Sequence, residues 1–330
     1  MTTYSRRRFL GMAGIVGTGL CLGLPVRAQA AQVTTETRMM LGTFVGISLA
    51  GVSRMQAEEA FGRAFAEAAR LEGLFNRHAS GTAISELNRV GQLSDAPQEL
   101  TLVLSHAKQY GALTAGAFDV TVQPMVDLLR THQNPEGEMR IDPVAFQAAR
   151  DLIDADAVHV SADRVVLDRE GMGVTLDGLA KGYIADRISA TLTACGAGDH
   201  LVNAGGDIVA KGCKAPGTAW RVAVESPSHK GKYPTVLPLT NQAIATSGGY
   251  ETYYDATQRH HHLITPSSGA SPFAVRSASV VAPTAMEADA LATALTVMPP
   301  QEGLNLIKTL PSRACFLLTA LGQMATHCPA

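Results

Sequence analysis

Aromatic side chains are scarce in this chain: Phe, Trp and Tyr make up 5% of its 330 residues, and there is a single tryptophan. A surface that stacks nucleic-acid bases needs such rings, and one that grips phosphate backbones needs clustered lysine and arginine. Here 27 Lys and Arg are scattered among 29 Asp and Glu. Nucleic acid and anionic membrane are therefore disfavoured as main partners. Cysteine is sparse too. Apart from Cys21 near the start, Cys195, Cys213, Cys315 and Cys328 show no C-x-x-C and no zinc spacing. These four are expected to be mostly buried and inert. No internal repeat or low-complexity tract occurs, and no long apolar run follows Leu24, so stable membrane insertion is not expected.

The first thirty residues do carry a pattern. Ser5-Arg6-Arg7-Arg8-Phe9-Leu10 leads into an apolar run from Gly11 to Leu24 and then Ala28-Gln29-Ala30. A charged head, a short apolar centre and an A-x-A site read as an export leader. Paired arginines before Phe-Leu resemble a twin-arginine (Tat) signal, a receptor-read address. Leu20 before Cys21 is too large for a lipoprotein site. The expectation is a Tat signal over residues 1–30, cleavage after Ala30, and a product in the periplasm. Residues 31–330 suffice for one large domain or two intimate lobes.

Met39–Leu49 reads as a first strand interrupted by Gly42 and Gly46. Apolar positions three and four apart predict a long amphipathic helix over Met55–Phe75. Shorter helices follow over Ile84–Val90, Glu99–Gly111 and from Pro143. Gly116–Pro124 reads as an extended segment stopped by its proline, and Arg164–Leu167 and Val174–Leu176 as paired strands. Strand signals crowd the second half, including Thr252–Tyr254 and His261–Ile264. Helices over Thr284–Val297 and Gln301–Leu310 precede a last strand, Ala314–Thr319. The polar stretch Thr131–Asp142 separates a helix-rich part from a strand-rich part. Because strands and helices do not alternate, the expected fold is α+β, with mixed sheets and flanking helices, rather than doubly wound.

One stretch concentrates chemistry. Val174–Gly182, VTLDGLAKG, reads as strand, tight turn and helix, so Asp177, a glycine turn, a helix start and Lys181 meet within a few residues. Such a junction can hold an anion on free N–H groups and a cation on carbonyls. An ordinary strand-to-helix connection looks the same, with Asp177 as N-cap and Lys181 in solvent. Asp289 and Thr293 share one helix face and could hold a hard cation. Equally, Asp289 suits the first turn of a helix while Thr293 bonds back to the turn before it. His260-His261-His262 invite a metal reading, but neighbours in a strand point to opposite faces and no acidic or cysteine partner lies at ligand spacing. A single histidine acting as acid or base fits better, beside the reading of an exposed polar strand.

Eight segments carry a resemblance: LGTF (Leu41–Phe44), S-x-L-N-R (Ser85–Arg89), GAFDVTVQP (Gly116–Pro124), LDGLAKGY (Leu176–Tyr183), NAGGD (Asn203–Asp207), ATSGGYE (Ala245–Glu251), H-L-I-T-P-x-x-G (His262–Gly269) and ADALATAL (Ala288–Leu295). In this order the set resembles the ApbE family of FAD:protein FMN transferases. The resemblance implies a two-lobed, T-fold-like architecture, helix-rich to about residue 142. It implies FAD as substrate, Mg2+ as metal, and transfer of FMN to a threonine or serine of a flavin-accepting electron-transfer protein, with AMP leaving. Carried over by position, His262 would be the catalytic base. Asp289, Thr293 and the Ala180 carbonyl would hold the metal. Ala117, Phe118, Asp119, Asp177 and Tyr183 would contact FAD, Lys181 its phosphates and Ile264 the flavin or ribityl chain. Leu41 stands where the family commonly has Met, and His78 where it stacks a Tyr on adenine.

One departure is larger. The family's His-x-x-Asp-Pro reads His262-Leu263-Ile264-Thr265-Pro266, so a carboxylate is missing. An FAD carrier without efficient transfer, or an FAD pyrophosphatase, would use the same residues. With its Tat signal the chain is similar to the NosX-like type, for which a NosR-like protein is the kind of acceptor implied. Finally, Ser268-Gly269-Ala270-Ser271 resembles part of the modified acceptor motif, which makes Ser271 a candidate for self-modification; a plain Gly/Ser loop reads the same.

Overall fold

Leu41 and Gly42 both take left-handed backbone, at φ 55° and 69°, and turn the chain back on itself. Where one strand was expected over Met39–Leu49 there is a hairpin of β1 (Val33–Met40) and β2 (Thr43–Ala50). The structure is a computed structural model describing residues 33–227, 231, 233 and 235–329. The Tat motif and the A-x-A site lie outside the described residues.

Helix α1 (Arg54–Phe75) starts at a capping box between Ser53 and Gln56, and its buried stripe of Ala57, Ala60, Phe61, Ala64, Phe65, Ala68 and Leu71 follows the expected spacing. Thr82 caps α2 (Ala83–Val90), which Gly91 ends in the left-handed conformation. Then come β3 (Gln92–Ser94) and α3 (Gln98–Leu113). Gly116–Pro124 is not extended. Asp119 caps a 3-10 turn over Val120–Val122, and α4 (Gln123–Thr131) follows directly. Pro124 sits in its first turn, where an N–H is not needed, so the proline starts a helix instead of stopping a strand. After α5 (Pro143–Asp151), β4 (Val158–Val160) and β5 (Arg164–Leu167) form a small sheet with β3. Residues 174–176 form no strand. The Asn88 side chain takes both backbone groups of Val174, donating to its carbonyl at 2.9 Å and accepting its N–H at 2.7 Å.

The second half runs α6 (Ala180–Ala194), β6 (His200–Ala204), β7 (Asp207–Lys211), β8 (Trp220–Val224), β9 (Thr235–Leu239), β10 (Gln242–Ser247), β11 (Val275–Ala282), α7 (Ala285–Val297), α8 (Pro300–Thr309), β12 (Ala314–Thr319) and β13 (Met324–His327). The strands expected at Thr252–Tyr254 and His261–Ile264 reduce to one isolated bridge, Tyr253 to His261. The reason is Asp255, a buried carboxylate that gathers the Arg259 and His260 N–H groups and the Thr257 hydroxyl into a tight turn.

Eight strands make the main sheet, in the order β1-β2-β6-β7-β10-β11-β12-β13, antiparallel at every pairing. It draws strands from both sides of residues 131–142, and residues 31–330 form one compact unit. Alternation sets its two faces. Val45, Ile47, Leu49, Val202 and Ala243 join the core beneath α1 and α6, whereas Ala50, Ala210, Ile244 and Val281 meet Trp220 and Leu239 of the β8–β9 hairpin. Of the four cysteines, all free, Cys315 is buried, Cys195 and Cys213 are half-buried, and Cys328 is exposed. Only Cys315 is thus buried as expected, and Cys328, which follows the edge strand β13, is open to solvent.

Two helix starts meet on the sheet. A side-chain carbon at Gly182 of α6 would lie 2.6 Å from the Ala285 carbonyl carbon and 2.7 Å from the Met286 nitrogen of α7. Only glycine permits this approach. The Asp186 carboxylate then reaches across to accept the Ala285 and Met286 N–H groups at 2.8 and 2.9 Å, capping α7 from a neighbouring helix. Gly182→Ala is expected to destabilise the protein by about 2–4 kcal/mol, because the clash is with backbone. Urea unfolding measures it; a native midpoint would mean that the helices can part freely.

Candidate active site

The α6–α7 contact opens into a cleft of about 490 Å³. Asp289 stands in the second turn of α7, not the first, where Glu287 takes the helix-dipole position. It is 4% exposed, and its Oδ2 accepts the Gly182 N–H at 3.3 Å. Burial, then the nearby Asp207 charge, pushes its carboxyl well above the usual range. Thr293, one turn on, does not bond back within the helix; its hydroxyl meets Ser247 Oγ of β10 at 3.1 Å. Gly178 lies against it, since a side-chain carbon there would be 3.0 Å from Thr293 Oγ1 and 3.2 Å from the Phe118 ring. The junction and the Asp289 helix, 107 residues apart in sequence, are thus in direct contact.

Asp177 and Lys181 depart from the ordinary-connection reading. Leu179, without a side-chain bond, is the cap of α6. Asp177 turns instead to Arg77, whose nearly buried guanidinium donates to it through Nη2 at 2.7 Å and Nε at 3.0 Å. Asp177 is itself exposed; what hydration it loses opposes its charge, but Arg77 wins and holds the carboxyl below its ordinary value. Lys181 is not in solvent. Its Nζ lies 3.0 Å from Asp207 Oδ2. Burial works against this ammonium too, yet Asp207 and Asp289 raise it above the ordinary lysine range.

His262 lines the cleft. Burial lowers its pKa, with the Thr252 backbone opposing, so it is neutral at neutral pH and ready to accept a proton. Its Nδ1 is buried without a hydrogen-bond partner. The three histidines go three ways, which rules out their sharing a metal. His260 Nδ1 meets Asp255 at 3.1 Å, and His261 Nε2 donates to the Pro272 carbonyl at 2.8 Å. Among the described residues, no three His, Cys, Asp or Glu side chains gather as metal ligands. What the cleft offers a cation is hard oxygen, with the Asp289 carboxylate and the Thr293 hydroxyl one helical turn apart.

Ala117, Phe118, Asp119 and Ile264 line the same cleft, although Asp119 spends one oxygen on the Thr121 backbone and hydroxyl. Leu41 and Ala180 line an adjoining recess of about 420 Å³, and His78, Arg77, Asp177 and Lys181 line both. The pair of recesses suits an elongated ligand with two bulky ends and a charged waist. Tyr183 does not reach either recess. Two residues beyond Lys181, or roughly 200° of helical rotation, it points inward and meets Phe75, which lines the second recess, edge-on at 5.8 Å. Ser271 is also misplaced for modification. It is 7% exposed, its hydroxyl accepting the His261 N–H at 2.9 Å and donating to the His261 carbonyl at 3.0 Å. Arg77, Ser247 and Glu251 went unassigned in the sequence. Ser247 and Glu251 fall inside the ATSGGYE segment, while Arg77 had no signal besides standing next to His78.

Comparison with known proteins adds to this geometry. The profile described as "ApbE family" matches residues 41–317. The chain is 28% identical over 310 residues to the FAD:protein FMN transferase of Escherichia coli (strain K12), covering 91% of this chain and 88% of that one. It is 33% identical over 232 residues to the FAD:protein FMN transferase of Vibrio cholerae serotype O1, covering 67% and 68%. The crystal structure of the apo flavinyl transferase ApbE from Pseudomonas stutzeri superposes with a TM-score of 0.77 at 25% identity, over 90% of this chain and 94% of that one.

His261 braces the segment that carries His262. It is 3% exposed, packed edge-on to Phe273 at 5.5 Å and Tyr253 at 6.1 Å, and its Nδ1 accepts the Leu263 N–H at 3.3 Å. Burial drives its pKa from 6.5 down to about 4. Between those values the unfolded chain binds the extra proton and the folded one does not, so stability is complete above 6.5 and lost as pH falls towards 4. The loss on this account is on the order of 2–3 kcal/mol. Urea midpoints at neutral and mildly acid pH should therefore differ less in His261→Gln than in the native protein; an equal drop in both would remove His261 as the cause.

Proposed function

From the premise that the chain belongs to the ApbE family, we propose that it is a Mg2+-dependent FAD:protein FMN transferase. It cleaves FAD, attaches FMN by a phosphoester to a threonine or serine of an electron-transfer protein, and releases AMP. The observation that carries this reading is the meeting of Asp289, Thr293, Lys181 and His262 in one cleft. Neutral His262 takes the proton of the acceptor hydroxyl. The freed oxygen attacks the FMN phosphorus, and the bond from that phosphorus to the AMP oxygen breaks.

The buried Asp289 side chain, lining the cleft one helical turn from the Thr293 hydroxyl, fits a cation, with Thr293 and the Ala180 carbonyl completing the protein's share. When bound, Mg2+ would neutralise charge on the phosphate oxygens. Lys181 and Arg77 add fixed positive charge between the two recesses. The export motif Ser5–Leu10 supports a periplasmic site of action, on an acceptor of the NosR-like kind.

A second reading has its own observation. Thr265, where the family has Asp, uses its backbone to close the turn to Ala270 and does not line the cleft, and His262 Nδ1 stays unpartnered. A base held by the Thr252 backbone but by no carboxylate favours a slow transferase or an FAD carrier.

One assay separates these. The protein is incubated with FAD, Mg2+ and a candidate acceptor. AMP with covalent flavin fluorescence on the acceptor is the expected result; AMP with free FMN means hydrolysis, and retained FAD with neither product means a carrier. His262→Ala should cut labelling by roughly 10²–10⁴-fold while FAD still binds. Asp289→Ala should lose activity that extra Mg2+ restores only in part. Full labelling by His262→Ala would take the proton-transfer role away from that residue.

A further inference from the structure

The NAGGD segment has a place in the fold but no role so far. Its hairpin turns at Gly205 and Gly206, both at positive φ. A side-chain carbon at Gly205 would lie 2.6 Å from Thr43 Cγ2, so the turn is seated directly on β2. Asp207 opens β7 from this fixed position, with its side chain 2% exposed. The group it faces is the Lys181 ammonium, at 3.0 Å.

Lys181 has a second carboxylate at hand. The next residue, Gly182, donates its N–H to Asp289 Oδ2, and Lys181 and Asp289 line the same cleft. A lysine's flexible four-carbon stem can swing between two such neighbours. Yet the ion pair that forms is with Asp207. Resting on the proposed cation site, we propose that Asp207 is a positioning residue that holds the Lys181 ammonium off Asp289 and so leaves that carboxylate to the divalent cation. Asp289 is the one carboxylate among the proposed ligands. An ammonium seated on it would supply the compensating charge itself, and a cation would have to displace it. Asp207 removes the competitor while keeping its charge beside the waist of the cleft.

The test uses Mn2+ as probe, followed by electron paramagnetic resonance on purified protein without flavin, so that turnover is not the readout. Asp207→Asn should weaken Mn2+ binding by about tenfold or more, and its crystal structure should show Lys181 Nζ on Asp289. Adding Lys181→Met to it should return the affinity to within about threefold of native. A merely structural role for Asp207 would not be repaired by removing the lysine. Native affinity in Asp207→Asn, an ammonium that stays off Asp289, or a double variant that does not recover would each overturn the proposal. If Asp207→Asn does not fold, Lys181→Met alone must bind Mn2+ at least as tightly as the native protein; weaker binding overturns it. Failure of the native protein to bind Mn2+ would bring down the cation site as well, whereas native binding unaltered in the variants removes only the positioning role.

Discussion

The close approach of α6 and α7 is the constraint on which the site depends. Gly182 contributes by having no side chain, Asp186 by capping the far helix, and Asp289 by accepting the near helix's N–H. Each contact joins residues about a hundred positions apart. Together they bring the turn at Gly178 against Thr293 and leave the Asp289 carboxyl buried, its pKa raised by that burial. Burying such a group costs stability unless something compensates it.

Two ion pairs beside the cleft behave differently. Arg77 and Asp177 match in planar fork geometry and satisfy each other, which leaves a closed pair on the ridge between the recesses. Lys181 is a point charge amid several acids: Asp207 in contact, with Asp289 and Glu251 acting through space. The first pair shapes the cleft. The second sets one ammonium among more carboxyl groups than it can contact.

The helix that buries one stripe was legible from residue spacing alone, since a 3.6-residue period depends only on the local chain; α1 lies where the pattern puts it, and α5 where Pro143 starts it. Asp289 and Thr293 were legible as a pair for the same reason. The misreadings have two sources. Pro124 and the segments Thr252–Tyr254 and His261–Ile264 look extended, but a proline also suits a first helical turn and Asp255 gathers its own near neighbours into a turn; Val174–Leu176 looks extended too, but Asn88 takes the backbone groups of Val174. A partner 86 residues away leaves no trace in a local pattern. Arg77 was missed likewise, its carboxylate lying 100 residues on. Tyr183 matched a motif, yet helical rotation turned it into the core.

By itself, the order of the eight motifs determined the family and the chemical inventory: a histidine, a lysine, a carboxylate and a hydroxyl four apart, and glycines where the backbone must turn. Those are properties of residue identity and local spacing. Which carboxylate the lysine meets and whether Ser271 is open to reaction were decided only when the sheet brought β7, α6, α7 and the loop after β10 together. A side chain's partner is set by distance in space, and the folded chain fixes that distance through contacts no local window contains.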